Sequence, residues 1–412
     1  MSNVRVAEAT DNTATPAGRG ISAGGWLAAW ISRLGLTPAL VRFAALVFVV
    51  SRAGFVALTF LAQRFLPHIG HQPITSFTDS WARYDATYYA RLAADGYQMQ
   101  VPWRAAFFPL MPWLTHLVAL PFEGLGPRYA ADYIAAMVVS NVCFFVALLG
   151  LAALALRDTD GDAGTARRAI LYMTLFPTAL FFFAGYAESL FLMLAVWCVV
   201  ALRRRAWWVA GALGLCAAMT RQVGLFLALP FAWEYAKSIG WQPRRIRANA
   251  LAVCLIPCGL LVFMGWLWWH VGDPLAFEHA EHYWQHVFTP PWTTFVRAIH
   301  YFPNQHNPIL HFAEVVDIFA VLLVGVLIIM GARRLPIGDT AYSAAVWLLV
   351  ICYPIVGWPL LSDGRYMLQV FPAFLLLARF GRNRWLNIVV LIVFTVLLFG
   401  MTQYFVRGAV IV

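Results

Sequence analysis

Residues 40–63 read LVRFAALVFVVSRAGFVALTFLAQ, an apolar run broken by Arg42 near its start and Arg52 near its centre. A helix needs about 20 predominantly apolar residues to cross the hydrocarbon core of a bilayer, and this stretch supplies them. Similar runs recur at approximately 132–156, 169–184, 187–202, 207–220, 223–236, 250–270, 312–332, 341–360, 366–380 and 385–405, several of them short. The expectation is an all-α polytopic membrane protein: about 11 transmembrane helices bundled in a single domain over residues 26–412. Neither an internal repeat nor a sustained period-two alternation competes with that reading.

Composition agrees. Of 412 residues, 62% are hydrophobic and 12% charged, where soluble domains have roughly 45–50% and 25%. An ordinary soluble enzyme is excluded. The net charge of +10 is an arginine excess, since Lys237 is the one lysine. In a membrane protein such an excess marks the loops that stay in the cytoplasm, so no nucleic-acid partner is expected. Six cysteines all fall within apolar runs without a CxxC pair, which indicates neither a disulfide framework nor a zinc site. Residues 1–25 are polar, rich in Ala, Gly and Thr, and lack the apolar core of a cleavable signal peptide; a disordered cytoplasmic tail is expected there.

The basic residues sort the loops. Arg157, Arg167 and Arg168 share one; Arg203, Arg204 and Arg205 the next; then come Lys237, Arg244, Arg245 and Arg247, then Arg333 and Arg334, then Arg379, Arg382 and Arg384. All five connect segments on one side, which the positive-inside rule makes cytoplasmic, with the N-terminus inside and the C-terminus outside. Two long loops, about 64–131 and 271–311, then face the exterior. The apolar stretch Ala105 to Phe122 carries Pro109, Pro112, His116 and Pro121 and is read as an interfacial or re-entrant helix pair.

In the first external loop Trp81, Tyr84, Tyr88 and Leu92 recur at helical spacing, which predicts an amphipathic helix on the membrane surface with Asp85 on its flank. A carboxylate so placed can take a proton from a sugar hydroxyl; a solvated helix with aromatic anchors is the plainer alternative. Arg52, Glu188 and Arg221 fall in or between apolar runs, where charge is expensive and faces a partner or a cavity. A structural Glu–Arg pair would also account for the last two. Arg365, in the external turn Leu361 to Tyr366, can hold a phosphate bidentately or be a simple loop arginine. His279, His282 and His286 would share one helix face, a spacing open to a divalent ion, but aromatics interleave them and no metal is assigned.

At these residues the chain resembles the PIG-V family, relatives of GPI mannosyltransferase II within the GT-C class of membrane glycosyltransferases. The likeness rests on Ser51-Arg52, Tyr84-Asp85 through Gly96-Tyr97, Ala106 to Pro112, Phe176-Pro177 with Tyr186 to Phe191, Thr220 to Gly224, and Arg365-Tyr366 with Phe371-Pro372. Tyr84 stands where the family usually has Trp, and Arg221-Gln222-Val223-Gly224 where it has Arg-Ser-Asn-Gly. The resemblance implies a GT-C-like bundle that transfers mannose, with inversion, from a polyprenyl-phosphate carrier to an acceptor hydroxyl on the extracytoplasmic face. The acceptor would be a glycolipid, polysaccharide or protein. Asp85 would be the general base, with Arg365, Arg221 and Tyr366 at the donor phosphate and Arg52, Glu188, Tyr84 and Tyr88 in support. A phosphodiester carries one negative charge, so arginine can replace a metal; no DxD string is present and no cofactor is expected. The alternatives are another polyprenyl-phosphate sugar on the same scaffold, a lipid-carrier flippase or transporter, and a non-catalytic subunit.

Overall fold

The computed structural model describes residues 34–69, 74, 76–98, 101–122, 124, 126–302 and 306–409; the expected tail at 1–25 lies outside them. Among the described residues the chain is almost wholly helical, with isolated β-bridges and no strand. Helix α1 (Pro38–Phe65) starts where Thr37 accepts a bond from the Leu40 amide and Pro38 supplies a preset first turn. Short α2 (Phe77–Trp81) and α3 (Asp85–Asp95) follow, then α4 (Leu110–Ala119), α5 (Ala130–Arg157), α6 (Ala163–Leu175) and α7 (Glu188–Arg203). The rest are α8 (Trp207–Ala218), α9 (Ala228–Ser238), α10 (Leu255–Val271), α11 (Ala276–Glu281), α12 (Pro291–Tyr301), α13 (Pro308–Gly331), α14 (Ile337–Cys352), α15 (Asp363–Tyr366), α16 (Phe371–Phe380) and α17 (Arg384–Val406).

Every apolar segment read from the sequence contains helix. Five are long and apolar enough to cross a membrane: α1, α5, α13, α17 and a 3-10 turn continuous with α10, Ala248–Val271. Their outer faces carry Leu46, Trp269, Ile329 and Trp385, each more than half exposed, as lipid contact requires. Shorter apolar helices at Leu110–Phe122, Trp207–Ala218, Ile337–Cys352 and Phe371–Phe380 complete the bundle. The segment expected at 169–184 stops being α-helical after Leu175, ahead of Pro177, and continues as buried turns around a short 3-10 helix, Ala179–Phe182. Leu110–Phe122 is too short to span; it hangs from α8 by a bond from the Leu110 amide to the Met219 carbonyl (3.1 Å).

The centre is α7, apolar on all sides and buried nearly throughout, between α5 and α8. Close approach there depends on small residues. A Cβ at Gly211 of α8 would lie 2.2 Å from the Ala252 carbonyl oxygen, and one at Gly259 of α10 would lie 2.2 Å from that of Leu215. At the C-terminal end of α7, Arg203 meets Asp339 (2.5 Å), Glu234 (2.8 Å) and Asp158 (3.7 Å). Arg379 donates to the carbonyls of Asp158 (2.7 Å) and Arg334 (3.1 Å), and Arg382 pairs with Asp162 (2.9 Å). The basic loops are thereby gathered at one end of the bundle. The 16 residues of α7 separate that end from Glu188 by about 24 Å.

Candidate active site

At the opposite end of α7 four charged side chains from four parts of the chain converge. Arg365 Nη1 lies 2.5 Å from Asp85 Oδ2, and Arg365 Nε lies 3.3 Å from Glu188 Oε1. That same Glu188 oxygen accepts from Arg221 Nη1 at 2.7 Å. Tyr366 links the two arginines: its hydroxyl accepts from Arg365 Nη2 (3.0 Å) and its ring lies 4.8 Å under the Arg221 guanidinium. The rings of Phe181 and Tyr186 flank Arg365 at 5.5 and 5.4 Å. Glu188 Oε2 and Arg365 Nε make no hydrogen bond although buried. The cluster therefore holds two guanidiniums against two carboxylates, with polar capacity to spare for a ligand.

Each member is placed by a break in regular structure. Asp85 opens α3, where the positive end of the helix dipole favours its anion. Just before it Tyr84 has φ +50°, ψ −122°, a strained backbone for a tyrosine. The strain is held by bonds around it: the Tyr84 hydroxyl donates to the Ala409 carbonyl (2.9 Å), the Tyr186 hydroxyl to that of Arg83 (3.1 Å), and Thr87 to that of Ala82 (3.0 Å). Glu188 opens α7 after the irregular stretch 176–187. Arg221 follows α8 in extended backbone. Arg365 sits in α15, whose Ser362 and Gly364 amides are held by Asp317 at 3.0 and 2.9 Å.

The single surface helix expected through Trp81, Tyr84, Tyr88 and Leu92 is two helices. Trp81 ends α2, completely buried against Phe55 and Phe183, with its indole N–H on Thr59 (3.0 Å). Ala86, Tyr89, Ala90, Leu92 and Ala93 of α3 are buried in the bundle rather than turned to lipid headgroups. The aromatic spacing that looked like membrane anchoring is core packing. Tyr88 packs on Trp103 and Phe107.

Arg52 lies elsewhere, half-buried, among neutral hydrogen-bond partners. It donates to Asn141 (2.8 Å), Ser51 (2.9 Å) and the Phe182 carbonyl (3.0 Å), between the rings of Phe48 and Phe144 at 4.5 Å each. Asn141 donates to the Phe183 carbonyl (3.0 Å) and Ser140 to that of Tyr186 (2.6 Å). These side chains satisfy a non-helical backbone that water does not reach. The three histidines do not share a face either, because helix α11 ends at Glu281 and Gln285 turns left-handed. His279 binds Asp273 (2.7 Å) and His286 the Tyr353 carbonyl (2.7 Å).

Residues outside the expected set also belong here. Tyr89 and Tyr186 feel the charges of Asp85, Glu188 and Arg365. Burial pushes the Tyr89 hydroxyl far above its ordinary range, so it is a neutral donor. Glu281, on the second long loop, stands 3.8 Å from His286 with its side chain 41% exposed, and the charges of Arg221 and Asp85 reach it. Asp317 lies in the middle of α13; an acid inside an apolar run was a visible signal for it.

Residues 56–233 match the family described as mannosyltransferase (PIG-V). No curated protein matches the chain. Among solved structures, an oligosaccharyltransferase from Archaeoglobus fulgidus complexed with Zn and sulfate shares 11% identity at a TM-score of 0.43, over 87% of this chain and 53% of that one. The archaeal oligosaccharyltransferase AglB from the same organism, in complex with an inhibitory peptide and a dolichol-phosphate, shares 10% at 0.43, over 88% of this chain and 56% of that one. The chain thus spans about half the length of these structures.

Proposed function

We propose, from the match of residues 56–233 to the mannosyltransferase (PIG-V) family, that the protein transfers mannose from a polyprenyl-phosphate carrier to an acceptor hydroxyl, with inversion and without a metal. The observation that carries the proposal is the pairing of Asp85 and Glu188 with Arg365 and Arg221. Asp85 takes the acceptor proton as the acceptor oxygen bonds to the anomeric carbon; the bond from that carbon to the phosphate oxygen breaks, and polyprenyl phosphate departs. Arg365 and Arg221 stabilise the phosphate as its charge grows, and Tyr366 keeps the two guanidiniums in register.

The 2.5 Å contact between Asp85 and Arg365 adds an order to these events. An oxygen held in that ion pair is not open to an acceptor hydroxyl. A donor phosphate that draws Arg365 to itself frees Asp85, so the base becomes competent once the donor is seated. The site lies at the end of α7 away from the basic loops, which supports an extracytoplasmic active site with a cytoplasmic N-terminus.

The test is transfer of labelled mannose from synthetic polyprenyl-phosphate mannose into membranes containing the purified protein, with a chelator, beside Asp85→Asn. Transfer that survives the chelator and disappears in the variant is the expected result. Transfer by Asp85→Asn at the wild-type rate removes Asp85 from the mechanism.

A further inference from the structure

The turn that carries Arg365 also borders a small pocket that is partly open to the outside. Asp317, which holds the turn's Ser362 and Gly364 amides, lines it together with Glu314, Tyr301, Trp358 and the leucines 310, 360 and 361. None of Asp85, Glu188, Arg221 or Tyr366 lines this cavity, so it is separate from the charged cluster.

Glu314 is 9% exposed, and neither of its carboxylate oxygens has a hydrogen-bond partner. A buried carboxylate left unpaired is costly, so an oxygen pair of this kind calls for a donor. Among the described residues the lining provides none: it holds two acids and no basic side chain. His311, one turn before Glu314, packs tilted on Phe302 at 4.1 Å; its charge reaches Glu314, but it is not part of the lining. Among the described residues no group of three or more His, Cys, Asp or Glu is arranged to hold a metal ion.

We propose that this cavity binds an organic ammonium group, carried by a lipid headgroup or by a soluble amine. Its N–H donors meet the two free oxygens of Glu314, and its charge offsets the paired acids. Trp358 and Tyr301 present aromatic rings, whose faces attract a desolvated cation. The leucines accept the attached methylenes. A neutral polyol would supply donors but leave the acidic charge uncompensated. Because Asp317 belongs both to this lining and to the backbone of the Arg365 turn, the two sites share a wall.

Binding is tested without turnover, independently of the transfer reading. The full-length protein in phosphatidylglycerol nanodiscs is titrated with ethanolamine, and separately with methyl α-mannoside, following thermal stability; a parallel preparation replaces half the lipid with phosphatidylethanolamine. Stabilisation by ethanolamine, or by phosphatidylethanolamine alone, is expected and distinguishes a soluble amine from a headgroup. Glu314→Gln removes a buried charge, so it folds, and it weakens apparent amine affinity at least tenfold. Trp358→Leu weakens it by a smaller factor and serves if Glu314→Gln is poorly produced. Failure of both amines to stabilise the protein, an equal response in Glu314→Gln and Trp358→Leu, or a response to the mannoside alone overturns the proposal.

Discussion

Arg365 and Asp85 stand 280 positions apart in the chain and 2.5 Å apart in the fold. The contact joins the first long loop to the turn before α16, so neither end of the molecule makes the site alone. If Asp85 is the base and Arg365 its restraint, Asp85→Asn lowers kcat about 10²- to 10⁴-fold. The donor KM stays level or falls, because the guanidinium is no longer held back. Steady-state transfer at several donor concentrations separates these two constants, and a donor KM that rises with the loss of kcat contradicts the restraint.

Arg365→Ala is expected to raise the donor KM about 10- to 100-fold, the worth of a hydrogen bond to a charged group. Arg365→Lys keeps the charge but loses the fork that reaches Asp85, Glu188 and Tyr366 together. It should recover part of the affinity and little of kcat. The same kinetic assay measures both variants.

Glu188 is 1% exposed and shares one oxygen between two arginines. Arg221→Met leaves it with Arg365 alone and should cost about 3–5 kcal/mol, the usual penalty for breaking a buried pair. Adding Glu188→Gln should restore much of the lost stability without restoring transfer. Thermal melts in detergent, run beside the transfer assay, close the cycle; a double variant no more stable than Arg221→Met would show that the ion pair is not the source of the loss.

Asp162 gives a pH prediction away from the site. Its carboxylate caps α6 through the Gly164 amide (2.9 Å), accepts from the Thr165 hydroxyl (2.6 Å) and pairs with Arg382 (2.9 Å). The Thr165 hydroxyl, then Arg382, hold it well below the usual carboxylate range. A depressed folded pKa means that the contribution is complete above the unfolded value of about 4 and is lost as pH falls below it. Asp162→Asn keeps the cap but loses the charge that Arg382 meets, so it should lower stability by about 0.5 kcal/mol at neutral pH and flatten its decline under acid. Melting temperatures of the two proteins from neutral pH downward measure the difference, and parallel curves would argue against the linkage.

Helical class was legible because twenty-residue apolar runs have few alternatives in water or lipid, and α1, α5, α7 and α17 lie within a few residues of where periodicity puts them. The charged residues of the cluster were legible for the same reason: Glu188 and Arg221 interrupt apolar sequence and are costly unless paired. Their partners were legible only in part: a Glu–Arg pair was among the expectations, and the junction with Arg365 was not. Glu188 accepts from Arg221 and faces Arg365 because α7 and α8 converge with α15, and no local pattern encodes a contact between elements that distant. Arg52 shows the limit from the other side. It looks equally costly in sequence, yet its guanidinium meets neutral oxygens, since a buried carbonyl left free by a broken helix also needs a donor. In the loop, a four-residue aromatic spacing fits a surface helix and a packed one alike, and tertiary burial decided between them.

Residues 407–409 bear on how the catalytic loop is held. Tyr84, one residue before Asp85, donates to the carbonyl of Ala409; the Ile69 amide donates to that of Arg407, and Arg407 returns a bond to Pro67. Residues 407–409 thus act as a latch across the loop that presents the carboxylate. Tyr84→Phe removes one of its bonds and leaves the ring packing in place, so it should lower turnover while the melting temperature stays close to that of the parent protein.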